Sequence, residues 1–165
     1  LMTLHLRGLV LILISLGVSL QAFSSLHEIQ LPSLKNQATV SMADFRGKVV
    51  LLSFFEPNCH WCYRQMKVFN QIQSECDEIL QPLSVGIHGT DQKLRSELRR
   101  AKVQYPAVGS TPTLIQFTGE INATPWTLIF KPKGQILVTW RGYMKFEQVR
   151  ELFPELCPIK ESQMG

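Results

Sequence analysis

The sequence predicts a single α/β domain, and three observations carry that prediction. The run from Val49 to Phe55 is apolar but for Ser53, and an amphipathic helical pattern opens just after it at Cys59. A second buried run, 83–87, precedes another helical stretch, so strands and helices alternate along the chain. Late in the sequence, two strand-like segments joined by Lys131-Pro132-Lys133-Gly134 read as a hairpin, with a final helical stripe behind them.

Taken in order, residues 28–34 and 38–41 read as two short strands joined by the polar turn Lys35-Asn36-Gln37, an N-terminal β-hairpin. The turn 43–48 leads into the buried strand 49–55, which Glu56-Pro57-Asn58 breaks. Met66, Phe69, Ile72 and Cys76 recur at spacings of three and four, giving the next helix one apolar stripe. After the strand 83–87, Thr90 and Asp91 cap a helix over 92–101, with Leu94 and Leu98 inward. Its Arg95, Arg99, Arg100 and Lys102 read as a solvated face, with a docking patch as the alternative. Thr111-Pro112 opens a short helix that Gly119 closes. Strands 126–130 and 135–140 make the late hairpin, and Phe146, Val149, Leu152 and Phe153 stripe the last helix.

Residues 1–24 read as separate from this domain. Arg7, the apolar run 8–20 and the small residues Ala22 and Ser24 have the order of a secretory signal peptide. The run is shorter than the ~20 residues that a spanning helix needs. Cleavage is expected after Ala22 or Ser24, and an uncleaved N-terminal anchor is the alternative. Either way residues 25–165, the domain, are exported. The full sequence of 165 residues suits one core, and 45% hydrophobic with 18% charged residues is ordinary globular composition. A net charge of +4, without an arginine-rich arm or aromatic–basic interleaving, argues against nucleic acid as a partner.

Chemistry concentrates in Cys59-His60-Trp61-Cys62. The two cysteines fall on the first turn of a helix, where free N–H groups and the helix dipole favour a thiolate. A two-residue spacer lets the sulfurs bond, and a nucleophilic thiolate beside a resolving thiol equips a site for thiol–disulfide exchange. A protonated His60 would stabilise the Cys59 thiolate and make the disulfide more oxidising; a neutral, exposed imidazole would do little. Trp61 offers apolar area to a substrate or packs on its own domain. The rival is a zinc or copper site on Cys59, His60 and Cys62, but no second ligand pair follows, and His88 is a lone candidate. His27 reads as a surface residue. Attachment of c-type haem needs histidine after the second cysteine, where Tyr63 stands.

This order resembles the thioredoxin superfamily, and more narrowly its exported TlpA-like branch of bacterial thiol:disulfide interchange proteins. The likeness is carried by the hairpin closing on Phe45-Arg46-Gly47-Lys48-Val49-Val50-Leu51-Leu52, by the CxxC motif, and by Ala123-Thr124-Pro125-Trp126-Thr127-Leu128-Ile129. It implies a thioredoxin-like fold, a central mixed sheet flanked by helices with the N-terminal hairpin as an extension. It further implies that Cys59 attacks and Cys62 resolves. Pro125 is the expected cis-proline facing the disulfide, and Thr124 offers its backbone to an extended substrate segment. The helices ending at Cys76 and preceding Cys157 would share one face of the sheet, so a structural disulfide between these cysteines is geometrically reasonable; two separate buried thiols are the alternative. The expected activity is exchange with protein disulfide or dithiol substrates, more in the reducing direction, with an oxidase or isomerase role as the alternative. A membrane electron donor, a periplasmic or envelope location, a monomeric state and no cofactor beyond the Cys59–Cys62 disulfide complete the expectation. Two positions depart from the pattern. Ser53 stands where many thioredoxins carry a buried Asp that assists proton transfer; Glu56 nearby is either a substitute for that base or a surface glutamate, and Asn58 replaces a common Trp.

Overall fold

A computed structural model describes residues 25–158. The region read as an export signal lies outside these residues, as does the tail from 159. The central sheet has five strands in the order β5-β4-β3-β6-β7, where β3 is Val49–Phe55, β4 Leu80–Gly86, β5 Ala107–Gly109, β6 Trp126–Phe130 and β7 Ile136–Arg141. β3 runs parallel to β4, which runs parallel to β5, whereas β6 is antiparallel to both β3 and β7. The sheet is therefore mixed, as expected.

β3 is buried throughout, and its alternate side chains feed two cores. Val49, Leu51 and Phe55 face the layer built by α1 (His60–Glu75), α2 (Asp91–Ala101) and α4 (Phe146–Leu152). Val50, Leu52 and Phe54 face the opposite layer, where α3 (Pro112–Thr118) contributes Leu114 and the N-terminal segment contributes Leu26, Ile29, Leu31 and Met42. That segment includes the antiparallel hairpin β1 (Gln30–Pro32) and β2 (Thr39–Ser41), both shorter than the sequence suggested. One bridge from Ser33 to Val108 docks the hairpin on β5, reinforced by Leu34 N–H donating to the Ala107 carbonyl at 2.9 Å.

Three elements differ from expectation. β5 is new; three residues beyond Pro106 are too short to show a period. β4 begins at Leu80 and runs through Pro82, which is tolerated because β5 pairs only with Ser84–Gly86, so the missing N–H falls where β4 has β3 alone beside it. Leu152 closes α4 exposed, at 40%, rather than inward.

Cys76 and Cys157 form a disulfide that joins the end of α1 to the segment after α4. Asp77 N–H donates to the Leu156 carbonyl alongside it. His27 is not a surface residue but is 7% exposed, packed against Gly134, where a Cβ would overlap Ser25 and crowd the imidazole. Burial, with Arg46 acting in the same direction, holds the His27 imidazole below its ordinary range.

Two predictions follow from these contacts. Because the bond spans a sequence separation of 81, the Cys76→Ala/Cys157→Ala double variant should lose about 4 kcal/mol in urea denaturation on the chain-entropy account. The unfolded chain protonates His27 near 6.5 and the folded chain only at lower pH, so acid favours unfolding. The denaturation midpoint should therefore fall between about pH 7.5 and about pH 5.5, less steeply in His27→Asn.

Candidate active site

The site forms where β3 ends. Glu56-Pro57-Asn58 leaves the sheet, Asn58 turns left-handed at φ 62°, and its N–H donates to Glu97 Oε1 on α2 at 3.2 Å. Asparagine is among the few residues that adopt this conformation readily. The β4–α2 loop presses on Pro57 so closely that a Cβ at Gly89 would overlap the proline ring. Cys59 is thus delivered to the N-cap of α1, where its Sγ accepts the Cys62 N–H at 3.1 Å. That is the helix position where a negative sulfur is best accommodated.

Cys59 and Cys62 are bonded, with their Cα atoms 5.2 Å apart. Their exposures differ: Cys59 is half-buried at the surface, whereas Cys62 beneath it is 2% exposed. The Thr124–Pro125 bond is cis, and the Thr124 hydroxyl lies 3.6 Å from Cys59 Sγ. The same hydroxyl donates to Glu56 Oε1 at 2.7 Å, while His88 Nδ1 lies 3.1 Å from Glu56 Oε2. Its bond from Thr124 outweighs the desolvation that opposes it, and with His88 holds the Glu56 carboxyl below the usual range.

An aromatic rim flanks the sulfurs. Trp61 is 49% exposed, its ring centroid is 5.6 Å from that of Tyr143, and Arg64 lies over both rings. His60 meets Trp61 edge-on at 5.5 Å. Beneath the rim, Gln65 is buried on α1 and bonds both ways to the Met144 backbone. Its Nε2 donates to the carbonyl at 3.2 Å, and its Oε1 accepts the N–H at 2.7 Å.

Comparison with known proteins bears on the fold. No family model matches the chain. The thiol-disulfide oxidoreductase ResA of Oceanobacillus iheyensis is 22% identical over 124 residues, which cover 74% of this chain and 65% of that protein. Among solved structures, a thioredoxin-family thiol:disulfide interchange protein of Chlorobium tepidum superposes with a TM-score of 0.68 at 15% identity, covering 78% of this chain and 92% of the other. The exposed lipoprotein thioredoxin of Streptococcus pneumoniae gives 0.66 at 18% identity, covering 78% and 98%. The fold is thioredoxin-like.

This thioredoxin-like fold brings Cys59, Cys62, His60, Trp61, Thr124 and Pro125 to one end of the sheet. Cys76 and Cys157 lie at the far end of α1, roughly 24 Å away at 1.5 Å per residue. Among the described residues, no three His, Cys, Asp or Glu side chains gather as metal ligands, and no helix is long and apolar enough to cross a membrane. Ser53 is buried and its Oγ accepts from Thr127 Oγ1 at 3.1 Å. Sequence reasoning placed Glu56 only nearby and left out Tyr143, Arg64 and Gln65. Gln65 did carry a signal: it is a polar residue three positions after Cys62, on the helix face that also holds Met66 and Phe69. Gln65→Leu should leave two buried backbone groups of Met144 unpaired and cost about 2–4 kcal/mol in denaturant unfolding.

Proposed function

We propose that this chain is an exported thiol:disulfide oxidoreductase that reduces disulfides in protein substrates. The observation that carries the proposal is the unequal exposure of the two sulfurs at a helix N-cap. Only Cys59 can meet a partner, and only Cys62 lies directly beneath to displace it. The likeness to ResA and to an exposed lipoprotein thioredoxin supports both the chemistry and a location in the cell envelope.

In the reduced protein the Cys59 thiolate attacks one sulfur of a substrate disulfide. A Cys59–substrate bond forms, the substrate S–S bond breaks, and the departing sulfur takes a proton. Cys62 then loses its proton and attacks Cys59 Sγ, which forms the Cys59–Cys62 bond and expels the second substrate thiolate. Two electrons pass to the substrate, and a membrane donor of two electrons restores the dithiol. The substrate segment lies along Thr124 and Pro125, with Trp61, His60 and Tyr143 supplying apolar contact at the rim. The cystine itself is the redox group of this scheme.

Reduced wild-type protein should reduce insulin. Cys59→Ser should lose at least about 100-fold of that activity, and Cys62→Ser should accumulate a mixed disulfide visible by non-reducing electrophoresis. Full activity in Cys59→Ser would sink the proposal. A reduction potential near −270 mV, about that of thioredoxin, fits a reductase, whereas about −120 mV would reverse the direction.

A further inference from the structure

We propose that Glu56, acting through the Thr124 hydroxyl, disfavours the Cys59 thiolate and so biases the Cys59–Cys62 pair towards the disulfide. Glu56 is a positioning residue for the exchange, and the inference rests on the redox reading of that pair. The Thr124 hydroxyl has one proton, and two acceptors are in reach: Glu56 Oε1 at 2.7 Å and Cys59 Sγ at 3.6 Å. The short, charge-assisted bond to the carboxylate takes it. What faces Cys59 is therefore the oxygen's lone pairs.

After reduction this arrangement distinguishes the two forms of Cys59. A thiol can donate its S–H to the waiting oxygen. A thiolate finds no donor there unless the 2.7 Å bond breaks, and it has a carboxylate behind that oxygen. Both effects favour the protonated sulfur. They oppose the Cys62 N–H and the helix N-terminus, which favour the anion.

Glu56 is thus not a substitute for the proton acceptor absent at Ser53. Thr124 and His88 both hold its carboxylate charged. Accepting a proton from a thiol of ordinary pKa near 8.5 would be steeply uphill. Its role is that of a fixed negative charge, delivered to the sulfur by one hydroxyl. Since a stabilised thiolate stabilises the reduced protein, a destabilised one makes the pair a stronger reductant.

Glu56→Gln keeps an acceptor for Thr124 and removes the charge. In equilibration with glutathione it should shift the pair about tenfold towards the dithiol, a potential about 30 mV higher. The midpoint of Cys59 alkylation against pH should drop by about one unit. Thr124→Val, which removes the oxygen, should move both readouts the same way by a smaller amount, and Thr124→Ser should leave them unchanged. An unaltered equilibrium constant in both Glu56→Gln and Thr124→Val, or a shift towards the disulfide, overturns the inference. A wild-type pair that does not exchange with glutathione at all overturns the redox reading instead.

Discussion

The register of β3 against its two neighbours is the constraint on which the site depends. β3 pairs antiparallel with β6 so that Phe54 faces Trp126, and parallel with β4 so that Phe55 faces Gly86. Run two steps past the last pair with β6 and one step past the last pair with β4, these ladders set residue 56 opposite residue 124 and beside the residues that follow Gly86. The bonds from Thr124 and His88 to Glu56 lie where that continuation puts them. A slip of one residue would exchange the faces of β3, moving Leu51 and Phe55 to the wrong core and parting these three side chains. The two hydrophobic layers therefore fix the chemistry as firmly as any bond within the site.

Around Cys59 the local forces are in opposition. The first turn of α1 offers an N–H to the sulfur, which any CxxC at a helix start shares. Thr124 and Glu56 present lone pairs and negative charge from the other side. The reactivity of the cystine is set by the difference between these terms. Each is of a size that one substitution can change.

Much of this was legible in the sequence because period and punctuation report directly on elements. The apolar runs gave β3 and most of β4, and Met66, Phe69 and Ile72 gave the inward face of α1. The Cys59–Cys62 spacing and the Thr124-Pro125 dipeptide marked the site. β5 was not legible, since three residues hold no period. Glu56 was half legible: its place in the chain was seen, but its partners 68 and 32 positions away depend on strand register. Gln65 shows the reverse case, a polar residue on an apolar stripe whose burial is explained only by the Met144 backbone beside it. His27 misled for the same reason, because the segment that buries it arrives from the far hairpin at Gly134.

The N-terminal hairpin has a meaning beyond its share of the core. A sheet that ends in an unpaired strand offers backbone donors and acceptors to any extended chain that drifts past. Here Ser33 and Leu34 are bonded to the outer side of β5, so the ladder is closed there by the protein's own first strands. β5 is also only three residues long, which leaves little of that side to cover. An extended segment that comes to this fold is thereby denied the β5 border, and of the two edge strands only β7 keeps an uncovered side. The hairpin acts as a selector, closing one border of the sheet to strand addition.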